Sequence, residues 1–232
     1  MGVEAALLIM ALLFSAGLNA VRTEAVSPDL YNRWSRAAVA EMHGGDPQQD
    51  AAMIDAYIGL NAADQQRFSE EIAAYMRGRS DHLPDELNEK EQIHFGDVRR
   101  LVRLAERVSR ILLGLCVLLA IALAWMSQYP GIRLRAMGAG ALAGLLLTGL
   151  AAAFILTHFD AAFYKMHEML FTNDLWLMDP RTDIIIRVMP AELFMHAAVR
   201  CLGRAAVQSI VILVMLAVLY FFMRRLISKW AK

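Results

Sequence analysis

Four long runs of apolar residues without Asp, Glu, Lys or Arg constrain the fold of this chain more than any other feature. They are residues 5–21, 111–132, 137–159 and 205–223. A helix needs about 20 mostly apolar residues to cross a bilayer, because backbone N–H and C=O groups cannot stay unpaired in lipid. Three runs meet that length and the first is near its lower limit. The sequence therefore predicts an all-α integral membrane protein, a bundle of four transmembrane helices.

The composition agrees with this class and argues against others. Hydrophobic residues make up 58% of the 232 residues, which is above the usual share in soluble domains. The 23 basic and 23 acidic residues balance, so no nucleic-acid partner is predicted. Cys116 and Cys201 lie at or beside the apolar runs, and we interpret them as packing residues rather than a disulfide framework.

Lys and Arg near the ends of the runs predict the orientation. Those of the short loop and the tail are Arg133, Arg135, Arg224, Arg225, Lys229 and Lys232. Basic residues at such positions mark the cytoplasmic side, so both chain ends are expected in the cytoplasm. No Lys or Arg precedes the first run and Leu18-Asn19-Ala20 is a poor cleavage site, so that run is expected to stay as an anchor.

The resulting organisation alternates spans with polar segments. The predicted order is span 4–21, outer cap 22–107, span 108–128, cytoplasmic loop 129–136, span 137–158, outer segment 159–204, span 205–223 and cytoplasmic tail 224–232.

The predicted cap is mainly helical. Asn61 suits a helix N-cap, and an apolar stripe follows at 68, 72, 75 and 76. A second helix is predicted over 48–58, with turns at 44–47 and 80–84. Asn88 is expected to cap a helix that continues into the second span.

The outer segment 159–204 and the residue before it combine aromatic and polar side chains. Tyr164, His167 and Phe171 share one helical face, and residues 176–180 should break that helix. Pro190 suits the first turn of the helix entering the last span. The aromatic and polar residues are Phe159, Phe163, Tyr164, Phe171, Trp176, Phe194, His158, His167, His196 and Asp174. An aromatic belt at the headgroup level would also explain the aromatics.

Two of the six histidines are candidates for chemistry. His94 lies one turn from Glu91 and one turn from Asp97, so a carboxylate could fix its tautomer. His167 lies in the aromatic and polar segment, and histidine is the commonest general base near neutral pH. No zinc-helix, nucleophile-elbow or His-x4-Asp motif occurs. No cofactor or metal is predicted, although a site built from His94, Asp97 and His167 stays open.

The stretch Lys165-Met-His-Glu-Met-Leu-Phe-Thr-Asn-Asp-Leu-Trp-Leu-Met-Asp-Pro180 resembles the lipoprotein intramolecular transacylases, Lit, a bacterial membrane family. Residues 185–190 and 192–194 continue the likeness. The stretch 88–98, in which Asp97 follows His94 at i+3, is similar to that family's other hallmark. The order, spacing and four-span layout agree, so the resemblance covers most of the chain.

The resemblance implies a reaction and a site. The sn-2 acyl chain of a diacylglyceryl-modified lipoprotein would move to the α-amine of its N-terminal cysteine, giving a lyso-form lipoprotein. His94 and His167 would be catalytic, with His167 favoured as the base. Asp97 would orient His94, with Asn173 and Asp174 in support. The side chains implied to bind substrate are Tyr164, Phe171, Trp176 and Tyr31.

The same resemblance implies a location in the bacterial cytoplasmic membrane, with lipoprotein substrate and membrane lipid as partners. The orientation predicted from Lys and Arg puts the site at the outer face, and a monomer is expected. Two other readings stay open from the residues. One is a non-enzymatic membrane protein whose cap binds an envelope partner. The other is a metal-dependent membrane hydrolase.

Overall fold

Helices make up most of the described chain, and turns and loops connect them. The computed structural model describes residues 2–125, 139, 142–143, 146–147, 149–150 and 152–230. The helices are α1 (Gly2–Ala25), a π-helical turn (Leu30–Trp34), α2 (Ser35–Met42), α3 (Ala51–Ile58), α4 (Ala62–Met76), α5 (Glu89–Trp125), α6 (Phe159–Leu170), α7 (Ile184–Val188) and α8 (Ala191–Trp230). No strand occurs within these ranges. The all-α prediction is confirmed.

The four-span count stays a prediction. Taken over the described residues alone, none of the helices combines the length and apolar character of a membrane span. The predicted loop 129–136 lies outside the described residues, as do 126–128 and parts of 137–158. The last two residues of the predicted tail, 231–232, also lie outside them.

The chain divides into two compact units. The first consists of Met1–Ala20, Arg107–Ala151 and Leu202–Lys232. The second consists of Val21–Glu106 and Ala152–Cys201, and it holds nearly all of the two polar segments of the sequence.

The second unit has its own apolar core. Phe68, Ile72 and Met76 of α4 are buried at the predicted stripe positions. Ile184, Ile185 and Val188 of α7 are buried in the same cluster. Fully burying such a side chain contributes about 1.5–3 kcal/mol, so the short α7 is anchored by its apolar residues. This packing fixes the segment that follows His167 onto the cap.

Side chains define the ends of the two helices predicted from caps. The Oδ1 atom of Asn61 accepts hydrogen bonds of 2.9 Å from the backbone N–H groups of Ala63 and Asp64. Asn88 and Glu91 cap α5 reciprocally: each side chain accepts from the other's backbone N–H, at 3.0 and 2.8 Å. Both arrangements satisfy N–H groups that have no partner within the helix.

Two helix ends differ from the predictions. Helix α3 begins at Ala51 rather than 48, because the Asp46 carboxylate accepts from the N–H groups of Gln48 and Gln49 and holds them in a turn. Helix α6 ends at Leu170, before the predicted break at 176–180, and Phe171 is extended (φ −115°, ψ 139°).

Candidate active site

The rings of His94 and His167 meet in the second unit. His94 lies on α5 and His167 lies in the last turn of α6. Their ring centroids are 6.3 Å apart with an angle of 27° between the planes. Two imidazoles from distant parts of the sequence are therefore stacked beside each other.

A backbone carbonyl fixes the tautomer of His167. The Nδ1 atom of His167 lies 2.8 Å from the carbonyl oxygen of Phe163, one turn earlier in α6. A carbonyl oxygen only accepts hydrogen bonds, so Nδ1 carries the proton in the neutral ring. The Nε2 atom then has a free lone pair. This is the form of histidine that can accept a proton from a substrate.

Aromatic rings enclose the pair. The centroid of His167 lies 4.2 Å from Phe163, 5.1 Å from Trp176 and 5.5 Å from Phe171. Phe171 also lies 5.0 Å from His94, and Tyr164 packs edge-on against Trp176 at 5.0 Å. Of the predicted substrate-binding residues, Phe171 and Trp176 thus contact the histidines, and Tyr164 contacts Trp176. Phe163 was not predicted as part of the site, although its position four residues before His167 gave a signal.

Burial keeps both histidines neutral at pH 7. The pKa of His94 is lowered to about 4, mainly by loss of contact with water and also by His167 and Lys90, while Asp97 acts in the opposite direction. Burial also lowers the pKa of His167, although the bond to Phe163 acts in the opposite direction. A neutral imidazole is the form required of a general base.

Asp97 contacts Asn173 rather than the ring of His94. The Nδ2 atom of Asn173 donates a hydrogen bond of 2.9 Å to Oδ2 of Asp97, and Arg100 pairs with the other carboxylate oxygen. The Nδ1 atom of His94 is buried and has no hydrogen-bond partner anywhere in the described part of the chain. The charge of Asp97 raises the pKa of His94 without a hydrogen bond between the two side chains.

A buried polar cluster, which we call the Asp183 network, holds the loop after α6 against the start of α5. Asp183 is 2% exposed. Its carboxylate accepts from Asn88 Nδ2 at 2.9 Å and pairs with Lys90 Nζ at 3.0 Å. Glu91 accepts from the backbone N–H of Ile185 at 2.7 Å. The network consists of Asn88, Lys90, Glu91 and Asp183. Its first three members lie within the stretch 88–98, whereas Asp183 lies between residues 180 and 185, outside the stretches that carry the family resemblance.

Two other predicted site residues lie away from the pair. Tyr31 is 2% exposed in the core; its hydroxyl donates to the carbonyl of Ala25 at 2.6 Å, and its ring contacts Phe95 at 6.4 Å. It therefore touches the neighbour of His94 and not the histidines. Asp174 is exposed.

No three His, Cys, Asp or Glu side chains are arranged to hold a metal ion among the residues that the structure describes. A cavity of about 360 Å³ lies elsewhere in the second unit. It is lined by the start of α6, the start of α8 and Glu41, whose carboxylate lies 2.7 Å from Nε2 of His196.

Comparison with known proteins identifies the family. The profile of the family described as "Lipoprotein intramolecular transacylase Lit" matches residues 39–194, more than half of the chain. The chain belongs to the Lit family. It is accordingly an enzyme of the transferase class, a lipoprotein intramolecular transacylase. The region matched to the Lit profile contains both histidines and the whole Asp183 network.

Solved structures of a Lit protein share the fold. The in meso structure of the membrane integral lipoprotein intramolecular transacylase Lit from Bacillus cereus has a TM-score of 0.71 and 22% identity, covering 97% of this chain and 97% of that chain. A variant of that protein with one histidine replaced by arginine has a TM-score of 0.68 and 21% identity, covering 99% of this chain and 94% of that chain. A second variant, with one histidine replaced by alanine, has a TM-score of 0.67 and 22% identity, covering 96% of this chain and 93% of that chain. No curated protein sequence matches this Lit-family chain significantly.

Proposed function

We propose that His94 and His167 catalyse movement of the sn-2 acyl chain of a diacylglyceryl-modified lipoprotein to the α-amine of its N-terminal cysteine. The product is a lyso-form lipoprotein with an amide-linked chain. The observation that carries this proposal is the stacked pair of imidazoles, in which His167 presents a proton-free Nε2. Membership of the Lit family supplies the reaction class, and the pair supplies the means of proton transfer.

His167 acts first as base and then as acid. The amine nitrogen attacks the sn-2 ester carbonyl, and Nε2 of His167 takes the proton that the nitrogen loses. The tetrahedral intermediate collapses with cleavage of the bond between the acyl carbon and the glyceryl oxygen. The same proton passes to that oxygen as it leaves. One amide and one hydroxyl replace one ester and one amine, with no net gain or loss of protons.

His94 stabilises the oxyanion of the intermediate. Its buried Nδ1 has no partner, and an unpaired acceptor is tolerated better than an unpaired N–H, so we assign the ring proton to Nε2. A ring with a pKa of about 4 stays neutral and offers a hydrogen bond rather than a positive charge. Removing one such donor from other acyl-transfer enzymes costs about 2.7–4 kcal/mol in transition-state stabilisation.

Positioning of the substrate provides much of the catalysis. Both reacting groups belong to one molecule, and correct orientation in such cases lowers the barrier by about 7–11 kcal/mol. Phe171 and Trp176 contact His167 and form apolar walls for acyl and glyceryl groups. Tyr164 supports Trp176, and Asp97 with Asn173 holds the loop that carries both walls. Tyr31 supports the site through Phe95, and Asp174 lies beside Asn173 on the exposed side of the loop.

The membrane location supports the same function. We propose four spans with both ends in the cytoplasm, the site at the outer face of the cytoplasmic membrane, and a monomeric enzyme. The matched Bacillus cereus protein is described as membrane integral. Large apolar side chains of the first unit are more than half exposed, as expected for contact with lipid. They include Leu113, Leu115, Leu118, Val207, Ile210, Val211, Val214 and Val218.

Mass spectrometry of the N-terminal lipopeptide tests the proposal. The full chain is reconstituted with a diacylglyceryl lipoprotein, and His167→Gln and His94→Ala are compared with His82→Ala, which changes an exposed loop histidine. We expect both site variants to lose amide-linked product while the loop variant keeps full activity. Full activity of either site variant in an inserted, purified protein would refute the assignment.

A further inference from the structure

Helix α6 has an apolar face that the rest of the described chain leaves uncovered. Met166, Met169 and Leu170 are spaced at i, i+3 and i+4 and are 43%, 77% and 48% exposed. His167 is the only buried residue of this helix. Glu168 lies on the opposite face and forms an ion pair at 2.8 Å with Lys165, which borders the apolar face beside Met169. The helix is therefore amphipathic, but most of its apolar face points away from the protein core.

The chain bends where α6 begins. His158 departs from helical geometry (φ −133°, ψ 45°), although hydrogen bonds of 2.9 Å continue on both sides of it, to Phe154 and from Ala162. The hydroxyl of Thr157 donates to the carbonyl of Ala153 at 2.7 Å. Bonding of Thr to the carbonyl four residues earlier bends helices. A change of direction is thus built into the end of the predicted span 137–158.

Apolar side chains are also exposed just before the bend. Phe154 is 57% and Leu156 is 44% exposed, and no charged residue occurs between 137 and 159. The uncovered face of α6 therefore follows directly, along the chain, on a segment that is itself predicted to face lipid. This continuity indicates that lipid covers the apolar face of α6.

We propose that α6 is an interfacial helix whose apolar face, Met166, Met169 and Leu170, is immersed in the acyl chains of the outer leaflet. Amphipathic helices of this kind lie in the plane of the membrane with the apolar face about 5–10 Å into the boundary between headgroups and acyl chains. The charged residues Lys165 and Glu168 are exposed, as contact with headgroups and water requires. The inference rests on the membrane location proposed above but not on the catalytic roles.

This placement sets the depth in the membrane of His167, the proposed general base. His167 lies between Met166 and Leu170 along the helix, at the edge of the apolar face. A helix held at the boundary of the acyl region keeps the imidazole at the level where a glyceryl ester occurs. The lipoprotein substrate then reacts without withdrawal of its acyl chains from the leaflet.

Spin labels on the full chain in phospholipid vesicles test the placement. In a Cys116→Ala, Cys201→Ala background, Met169→Cys places a label on the apolar face, and Ala161→Cys provides a matched control on the exposed polar face. We expect the label at 169 to be at least fivefold more accessible to oxygen than to a water-soluble nickel chelate, with the opposite preference at 161. Equal access of the chelate to both labels overturns the proposal. Shielding of label 169 from both reagents also overturns it, because protein would then cover the face.

Activity provides a second measurement. Met169→Glu should lower kcat/KM for acyl transfer at least tenfold by lifting the helix, and Ala161→Glu should change it less than twofold. Equal effects of the two variants contradict the proposal. The label measurement does not depend on catalysis. If the label at 169 lies in the membrane but the protein does not transfer acyl chains, only the catalytic assignment is rejected.

Discussion

Asn173 donates a hydrogen bond of 2.9 Å to Asp97 across a separation of 76 residues in the chain. Asp97 lies one turn after His94 on α5, and Asn173 lies in the loop between Phe171 and Trp176. The bond therefore joins the helix that carries one histidine to the loop that carries the aromatic walls around the other. Together with the Asp183 network, it connects the parts of the chain that carry the two rings.

Breaking this bond should lower activity from either side. We expect Asn173→Ala and Asp97→Ala each to reduce kcat at least tenfold, because the loop is no longer held against α5. The double variant should be little worse than either single variant, since residues of one contact are coupled by about 0.5–3 kcal/mol. Asp97→Asn keeps an acceptor for Asn173 and should retain more activity. Initial rates of amide formation measure these effects, and additive losses would contradict the coupling.

The pH dependence of kcat/KM should lack a normal histidine transition. The substrate α-amine has a pKa of about 8, so the rate should fall with a slope of about one per pH unit below that value. The pKa of His94 is lowered from 6.5 to about 4, and that of His167 is also lowered. Neither ring therefore titrates at the ordinary value of 6.5. A pH–rate profile that steepens at about 6.5 would show that at least one histidine titrates normally.

Stability should also depend on pH through His94. Its pKa is about 4 in the folded protein and 6.5 when exposed, so the unfolded chain binds the proton more readily. The contribution of neutral His94 to the free energy of unfolding is then fully present above pH 6.5 and is lost as the pH falls towards 4. We expect His94→Phe to weaken the fall in melting temperature over this window. Thermal unfolding in detergent measures it; identical pH dependence in the two proteins would refute the buried, neutral state of His94.

The Asp183 network should contribute to both stability and catalysis. Asp183→Ala removes the acceptor of Asn88 and the partner of Lys90 in a buried position. Hydrogen bonds to a charged group contribute about 1.5–3 kcal/mol each, so the melting temperature should fall clearly and kcat with it. Arg181→Ala, which breaks an exposed pair with Asp179, should change neither. A stable but inactive Asp183→Asn variant would indicate that the network acts mainly on loop position.

Local signals predicted the parts of this fold that depend on neighbours in the sequence. Asn61 and Asn88 were recognised as caps because a cap acts on N–H groups two or three residues away. The apolar stripe of α4 was visible for the same reason. The sequence predicts a later end for α6 than the structure has. The extended conformation of Phe171 accompanies an anchored Asn173, whose partner Asp97 is distant in the sequence.

The site could be predicted only as a set of residue types. His94 and His167 were identified from their motifs, but the group that orients His167 is a main-chain oxygen, which every residue carries. The partner of Asp97 depended on tertiary packing, so the expected contact with His94 was replaced by the one with Asn173. Tyr31 was assigned by resemblance alone, and its burial beside Phe95 follows from the core of the cap.

The main-chain oxygen of Phe163 has a consequence for timing. It carries only a partial charge, and burial outweighs its effect on the pKa of His167, so the imidazolium form of this ring is disfavoured. A protonated ring must therefore discharge before exchange with bulk solvent takes place. We expect the proton that leaves the amine to be the one that His167 transfers to the glyceryl oxygen, without exchange with solvent during the turnover.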